Sequence, residues 1–319
     1  MKIVILDGER TNPGDLSWAP LEALGELTVW PNTAPEQIAE RIADNDVVII
    51  DKPVITRQIM DACPALKLIT LFATGFNNVD IRAAKEKGIV VSNAPGYSSH
   101  AVSQLAAALL LEICTRLGQH HRAIEAGEWT DNTYFCRVAP RMTEIAGKTV
   151  GVIGYGGIGQ AFGRIMKAMG AELLVYSRRW NPELEDEHTR YVNLDEIYAR
   201  SDIISLHCPL NDDSRGMINA QTLAKMKDGV ILINTARGAL IDEEAVAAAL
   251  RSGKLAALGQ DAFAVEPIRP DNPLLTAPNA YLTPHVGWAP RETRERLLGV
   301  VAENIRCFLE GKPRNVVNP

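Results

Sequence analysis

The sequence has few of the features that mark secreted, membrane-spanning or metal-binding proteins. Its five cysteines are odd in number, scattered over 319 residues and not arranged in the close pairs that bind a metal. Isolated thiols of this kind are typical of a reducing compartment, so we expect a cytoplasmic protein with no metal site. The longest aliphatic run, residues 105–111, is far shorter than the roughly 20 residues that a membrane-spanning helix needs.

An excess of positive charge is also absent. The chain has 33 lysines and arginines against 39 aspartates and glutamates, which gives a net charge of −6 at pH 7. We therefore expect no nucleic-acid partner and no attraction to an anionic membrane. A single arginine can still bind a small anionic substrate, whatever the total charge.

Short β-branched runs alternate with helical patterns along a chain that is long enough for two domains. The first run ends at Asp7, is too short for a signal peptide and predicts a strand. Continuously apolar runs are typical of parallel strands covered on both faces, and two series of them predict two doubly wound parallel sheets in an α/β fold. The predicted strands are residues 3–6, 27–30, 47–50, 68–72 and 89–91, followed by 149–153, 173–176, 203–206, 230–234, 255–259 and 281–283.

Two longer helices are predicted as well. One covers residues 98–126 and joins the two series, with Ala101, Leu105, Ala108 and Leu111 near a helical period. The other lies near the C-terminus and is amphipathic, so we expect it to pack back on the first series. Its apolar face contains Leu297, Leu298, Val301, Ile305, Phe308 and Leu309, and its polar face contains Arg294, Glu295, Glu303 and Arg306.

A glycine-rich turn, residues 154–159, stands between a predicted strand and a helical pattern. Gly154 permits a tight turn, Gly156 lets a pyrophosphate approach the backbone, and Gly159 lets the helix pack closely on the strand. The amides at the helix N-terminus would then face the phosphates. We expect Gly154, Gly156, Gly157 and Ile158 to bind a dinucleotide; a packing turn without a nucleotide is the alternative.

The strand after this turn ends without the acidic residue that usually binds the ribose 2′-hydroxyl of NAD. Ser177 stands at that point, followed by Arg178 and Arg179. A carboxylate would repel a 2′-phosphate, whereas a serine hydroxyl and guanidinium groups would bind it. This favours NADP over NAD, although the two arginines are also compatible with a solvated surface.

Three polar residues, Arg237, Glu266 and His285, each follow a predicted strand of the second series. Ligands of open α/β sheets bind at the carboxyl ends of the strands, so these residues form a candidate catalytic site. Taken singly, each is also compatible with an ordinary loop or surface position.

The chain resembles the D-isomer-specific 2-hydroxyacid dehydrogenase family over nearly its whole length. The motifs that carry the resemblance are residues 154–159, His207-Cys208-Pro209-Leu210, Asn234-Thr235-Ala236-Arg237-Gly238, residues 261–267 and Thr283-Pro284-His285. Residues 7–8 and 12–18 with 73–77, 95–98 and 285–288 look most like the glycerate dehydrogenase, or hydroxypyruvate reductase, branch. The resemblance implies a flavodoxin-like substrate domain (residues 1–98 and 290–319), a Rossmann cofactor domain (residues 99–289), an active-site cleft between them and a homodimer.

The resemblance also implies the roles of the site residues. Arg237 would bind the substrate carboxylate and polarise its carbonyl, His285 would be the general acid, and Glu266 would pair with the imidazole. Thr74 and Gly75 would hold the carboxylate through backbone amides. The remaining cofactor contacts implied are His207, Cys208, Pro209, Thr235, Ala236 and Asp261.

The chemistry of these side chains suits hydride transfer to a 2-oxo acid. Hydride arriving at C2 makes the carbonyl oxygen strongly basic, and histidine is the side chain that exchanges a proton near neutral pH. An adjacent carboxylate favours the protonated imidazole, and a guanidinium grips a carboxylate at two points. We expect reduction of hydroxypyruvate or glyoxylate to the D-2-hydroxy acid with NADP or NAD.

Other functions are compatible with parts of this pattern. One is the reduction of a larger 2-oxo acid. If Phe76, Tyr97 and Trp288 line the substrate pocket, they limit the size of the substrate; if they only pack in the protein core, a larger 2-oxo acid would fit. A dinucleotide-sensing corepressor is another, since such proteins keep a similar triad, but this chain lacks their long extensions. Formate dehydrogenases carry glutamine where Glu266 stands, which argues against that activity.

Overall fold

The computed structural model describes residues 1–130 and 135–319. This part of the chain forms two compact units, one made of Met1–Ser98 with Trp288–Pro319 and the other of Ser99–Gly287. Residues 131–134, in the turn-rich segment that follows the predicted helix at 98–126, lie outside the described residues.

The described residues of the first unit form a five-stranded parallel sheet in the order β2-β1-β3-β4-β5. This is the strand order of flavodoxin-like sheets, whose ligands bind where the order reverses. Apolar side chains cover both faces, and every residue of β3 is fully buried. The elements are β1 Lys2–Ile5, α1 Gly8–Thr11, α2 Ala19–Glu22, β2 Glu26–Val29, α3 Ile38–Ile42, β3 Val47–Ile50, α4 Arg57–Ala62, β4 Leu68–Leu71, α5 Ile81–Glu86 and β5 Val90–Ser92.

Asp7 ties the carboxyl ends of β1 and β3 together. Its carboxylate accepts hydrogen bonds from the backbone amides of Asp51 at 3.0 Å and Lys52 at 2.9 Å. Burial raises the pKa of the Asp7 carboxyl, and the two amides and Arg10 offset part of that effect. The next residue in the chain is Gly8, and a Cβ at that position would lie only 2.7 Å from Val29 Cγ1.

In the described ranges, the second unit contains a seven-stranded parallel sheet in the order β12-β11-β10-β9-β6-β7-β8. This is the Rossmann order with one further strand, and it reverses between β6 and β9. The predicted fold class, α/β with two doubly wound parallel sheets, is confirmed. The elements are α6 Ser99–Thr115, α7 Leu117–Glu125, β6 Thr149–Ile153, α8 Gly157–Ala168, β7 Glu172–Tyr176, β8 Thr189–Tyr191, α9 Leu194–Arg200, β9 Ile203–Leu206, α10 Ala220–Lys225, β10 Val230–Asn234, α11 Glu243–Ser252, β11 Leu255–Gln260 and β12 Ala280–Leu282.

The single helix predicted over residues 98–126 is wrong, because the chain breaks into α6 and α7 with a bend of 56°. Arg116 adopts the left-handed backbone conformation, with φ of +54°. The Glu112 carboxylate accepts hydrogen bonds from the Gly118 amide at 3.1 and 3.2 Å, which supplies a partner to the free N-terminus of α7. Ala108, predicted near the apolar face of the helix, is exposed.

No single helix within the described ranges is long and apolar enough to cross a bilayer. The bent pair α6 and α7 meets the length and composition criteria only when the two helices are taken together.

The final helix, α12 (Arg291–Leu309), packs on the sheet of the first unit through Leu297, Val301 and Ile305. Two details of the predicted faces are wrong. Leu309 is exposed, and Arg294 is only 8% exposed because its guanidinium forms a two-point ion pair with Asp15 at 2.7 and 2.6 Å. Arg294 Nε also donates to the Ala289 carbonyl at 2.7 Å.

Candidate active site

The glycine-rich turn joins β6 to α8 beside the point where the strand order of the second sheet reverses. Gly154 has φ of +99°, and a Cβ there would lie 2.5 Å from the Cys208 amide nitrogen. A Cβ on Gly159 would lie 2.2 Å from the Gly154 carbonyl oxygen. These two glycines are therefore required by the fold itself.

Gly156 differs, because a Cβ at that position would meet no atom within 4 Å. Because Gly156 has no side chain, the space in front of the first turn of α8 is open. This helix has 12 residues and starts at Gly157. Unpaired amides and the positive end of the helix dipole favour an anion there. Gly157 and Ile158, the first two residues of α8, thus fit the pyrophosphate of a dinucleotide.

Ser177, Arg178 and Arg179 follow the carboxyl end of β7. Ser177 is half-buried and both arginines are exposed. Neither guanidinium forms a hydrogen bond or an ion pair with the residues that the structure describes. Both cations are therefore available to an anionic ligand at the end of this strand.

His207 and Cys208, at the end of β9, direct their side chains into the protein. The His207 ring packs 5.1 Å from the Phe162 ring, and its Nε2 lies 2.9 Å from Ser205 Oγ. Burial lowers the pKa of His207 to about 3 and raises the pKa of Cys208 to about 11, so both side chains are uncharged near neutral pH. Their backbone, which packs against Gly154, is the part that a dinucleotide in this turn would approach.

Arg237 lies in a turn after β10 that is held by Asn234. The Asn234 side chain accepts from the Ala236 amide at 3.2 Å and donates to the Arg237 carbonyl at 3.0 Å. Arg237 itself is exposed, and its Nη1 donates to the Ala236 carbonyl at 2.7 Å. A Cβ on Gly238 would lie 1.9 Å from the Phe263 carbonyl carbon, so this turn is pressed against the segment that carries Glu266.

The structure brings Glu266 and His285 into direct contact. His285 Nδ1 lies 2.8 and 2.7 Å from the two Glu266 carboxylate oxygens, and about a third of each side chain is exposed. A carboxylate only accepts, so Nδ1 carries the hydrogen in this contact. His285 Nε2 forms no hydrogen bond with any described residue, and it is the ring atom left to exchange a proton with a ligand.

Asp261 fixes the turn in which His285 stands. Its carboxylate, only 2% exposed, accepts from Thr283 Oγ1 at 2.6 Å, from the Val286 amide at 2.8 Å and from the Gly287 amide at 2.9 Å. These bonds hold His285 in the left-handed conformation, with φ of +55°. The carboxylate thus shapes the loop that carries His285, and its predicted contact with the cofactor remains a prediction.

The other predicted contacts are distributed over both units. Thr235 is buried, and within the described ranges its hydroxyl has no partner. Thr74 and Gly75 belong to the first unit and follow β4; the Thr74 hydroxyl donates to the Ala94 carbonyl at 2.8 Å. Pro209 is exposed, and its carbonyl accepts from Ser214 Oγ at 2.9 Å. The three aromatic residues considered for the pocket, Phe76, Tyr97 and Trp288, pack in or against the cores of the first unit.

Two residues that support this site were not recognised from the sequence. The Asn234 side chain forms hydrogen bonds within the turn that carries Arg237, and the Glu243 carboxylate forms hydrogen bonds to the loop that carries Glu266. Glu243 accepts from the Ala264 amide at 3.0 Å and from Asn272 Nδ2 at 2.8 Å. Acidic residues are common in the first turn of a helix because they interact favourably with the helix dipole, so no separate signal for a second role could be read from the sequence.

Comparison with known proteins decides the family. Residues 107–287 match the family model described as "D-isomer specific 2-hydroxyacid dehydrogenase, NAD binding domain". The chain belongs to this family. It is therefore an oxidoreductase that uses a nicotinamide dinucleotide to reduce a 2-oxo acid, and the predicted family is confirmed.

Similar proteins agree with this membership and with the predicted branch. The chain is 48% identical to a hydroxypyruvate reductase of Blautia hydrogenotrophica, over 100% of both chains. It is 36% identical to a glycerate dehydrogenase of Methylorubrum extorquens, over 99% of this chain and 98% of the relative. Among solved structures, an acyclic imino acid reductase in complex with NADPH and D-Arg has a TM-score of 0.87 and 30% identity, over 99% of this chain and 100% of the other.

Proposed function

We propose that this dehydrogenase reduces hydroxypyruvate or glyoxylate to the corresponding D-2-hydroxy acid with NAD(P)H, and that His285 is the general acid. The observation that carries the proposal is the Glu266–His285 contact, which leaves Nε2 as the proton-exchanging atom. The relatives named hydroxypyruvate reductase and glycerate dehydrogenase support the substrate class. Archaeal relatives named glyoxylate reductase, at 36% identity, support the smaller substrate as well.

Each polar side chain then has a distinct task. The bound nicotinamide supplies the hydride. Arg237 grips the substrate carboxylate and polarises the adjacent carbonyl, which its exposed guanidinium is free to do. His285 Nε2 delivers a proton to the carbonyl oxygen as that oxygen becomes basic, and Glu266 accepts from Nδ1 and fixes the orientation of the ring. The backbone amides of Thr74 and Gly75 hold the substrate carboxylate.

The unit Ser99–Gly287 would bind the dinucleotide, and the other unit would bind the substrate. Gly154, Gly156, Gly157 and Ile158 would hold the pyrophosphate. The backbone of residues 207–209, together with Thr235, Ala236 and Asp261, would contact the ribose and nicotinamide. Ser177, Arg178 and Arg179 would bind the 2′-phosphate, which favours NADP as the coenzyme.

We also propose a cytoplasmic homodimer. All five cysteines are described and are free thiols, as a reducing compartment requires. Several apolar side chains of α7 and the segment after it are exposed, including Phe135 at 96%, and a second copy of the chain would cover them. Size-exclusion chromatography with light scattering measures the molar mass of the protein in solution, and a monomer at the concentration of the enzyme assay would refute the dimer.

The proposed reaction is tested by measuring oxidation of NADH and of NADPH with hydroxypyruvate, glyoxylate and a bulky aromatic 2-oxo acid. We expect the highest kcat/KM with one of the two small acids and with NADPH. A preference for the aromatic acid would favour the alternative of a larger substrate. The absence of turnover with any 2-oxo acid would contradict the proposed reaction.

A further inference from the structure

We infer that Glu243 is a positioning residue for the proton donor: it holds the peptide segment that aligns Glu266 with His285. This inference rests on the proposed function, because it concerns the same acid–imidazole pair. Glu243 itself lies in the first turn of α11 and makes no contact with His285 in the described hydrogen bonds.

Glu243 grips the loop that carries Glu266 at two points. One carboxylate oxygen accepts from the Ala264 backbone amide at 3.0 Å, and the other accepts from Asn272 Nδ2 at 2.8 Å. These two donors lie on either side of Glu266 in the sequence. A single carboxylate therefore fixes the loop both before and after the residue that contacts the imidazole.

The segment that contains Ala264 contacts both the Glu266 carboxylate and the turn that carries Arg237. The neighbouring Phe263 amide donates to Glu266 Oε1 at 3.0 Å, so a shift of this segment moves the carboxylate that faces His285. The Phe263–Ala264 backbone also lies against Gly238, where a Cβ would come within 2.2 Å of the Ala264 nitrogen. The residue before Gly238 is Arg237.

Helix capping does not account for the position of the Glu243 carboxylate. The N-cap of α11 is Asp242, whose side chain accepts from the Ala245 amide at 3.1 Å. Glu243 is partly buried and faces the loop, whereas the next residue, Glu244, is exposed and forms no hydrogen bond or ion pair with the described residues. Glu244 has the same charge and the same helical turn, and so it is the matched control.

A glutamine at position 243 keeps the size of the side chain but offers one acceptor instead of two. One of the two loop donors would then face the amide group of glutamine and lose its partner. The loop would relax, and Glu266 would hold the imidazole less well. Proton transfer depends on the orientation of the ring, so kcat would fall.

The experiment compares Glu243→Gln with Glu244→Gln in steady-state reduction of hydroxypyruvate. For Glu243→Gln we expect kcat to fall about 10-fold while the KM for NADPH stays unchanged. Glu244→Gln should match the wild type in both quantities. Asn272→Ala removes the Nδ2 donor to Glu243 together with the Oδ1 acceptor for the Leu274 amide. Its kcat should fall by less than that of Glu243→Gln with the KM for NADPH again unchanged, which keeps the test available if Glu243→Gln does not fold.

The outcomes separate this inference from the proposed reaction. If the wild type is active and Glu243→Gln equals its control, or loses rate together with a rise in the KM for NADPH, Glu243 has no positioning role. If the wild type reduces no 2-oxo acid, the proposed reaction fails and the role of Glu243 fails with it.

Discussion

At the scale of single residues, the candidate site combines titratable groups in different environments. His207 is kept neutral by burial, which lowers its pKa to about 3. His285 is partly exposed, has a carboxylate on one ring nitrogen and leaves the other for a ligand. Only the second arrangement leaves a ring nitrogen open to a ligand, which proton transfer requires.

Glu266→Gln tests the carboxylate side of the pair. We expect kcat for hydroxypyruvate reduction to fall about 100-fold, since an amide offers one acceptor oxygen where the carboxylate offers two and orients the imidazole less well. The KM for NADPH should stay close to that of the wild type. The measurement is steady-state kcat and KM, and an unchanged kcat would show that the carboxylate does not support the proton donor.

Two glycines of the same turn should respond differently to alanine. Gly154→Ala introduces a Cβ 2.5 Å from the Cys208 amide at a positive φ, so the free energy of unfolding should fall by about 1–3 kcal/mol or more. Gly156→Ala meets open space, so the fold should keep its stability while the KM for NADPH rises. Thermal denaturation and coenzyme titration of both variants check this, and equal stability losses would contradict the distinction.

At the scale of elements, the strands with continuous apolar runs could be predicted from the sequence, whereas the break between α6 and α7 and the edge strand β8 could not. Val47–Ile50, Thr149–Ile153 and Ile203–Leu206 have the predicted bounds, because parallel strands covered on both faces are mostly apolar along their whole length. Thr189–Tyr191 was missed since an edge strand has only one neighbour and this one carries an exposed arginine.

The residues that support the candidate site could not be recognised from the sequence, because their role depends on contacts that form only in the folded chain. Arg237, Glu266 and His285 could be picked out because each follows an apolar run and has a reactive side chain. Asp261 as the anchor of the His285 turn, and Glu243 as the anchor of the Glu266 loop, act mainly on backbone amides. Such amides look the same at every position of a sequence, so only the folded chain shows which carboxylate they meet.

The end of β7 should determine the choice of coenzyme. Ser177→Asp places a carboxylate where a 2′-phosphate would bind, and like charges should disfavour NADPH. We expect the ratio of kcat/KM for NADPH to that for NADH to fall about 10-fold or more. A constant ratio would show that this strand end does not face the 2′ position.

The first turn of α12 should show a pH-dependent stability. A hydrogen bond from Arg294 holds the pKa of Asp15 below its ordinary value of 3.8, so the pair stabilises the fold above that value and the contribution is lost as the pH falls through the lower, folded-state pKa. Asp15→Asn should lower Tm at pH 7, and the difference from the wild type should shrink in acid below about pH 4. A difference in Tm that is constant with pH would contradict this.

At the scale of the whole molecule, the two units carry different parts of the proposed chemistry. The second contains the glycine turn, the Arg237 turn and the Glu266–His285 pair, and the family model matches within it. The first contributes Thr74 and Gly75. Relatives aligned over 97–100% of this chain carry the names of hydroxypyruvate reductase, glycerate dehydrogenase and a 2-hydroxyacid dehydrogenase, so the family membership extends over both units.

The most direct test of the account is the turnover of His285→Ala with NADPH and hydroxypyruvate at neutral pH. We expect kcat to fall about 1,000-fold, because the reaction loses its proton donor, while NADPH binding measured by fluorescence stays close to that of the wild type. Turnover near the wild-type value would contradict the assignment of His285, and with it the mechanism proposed for this enzyme.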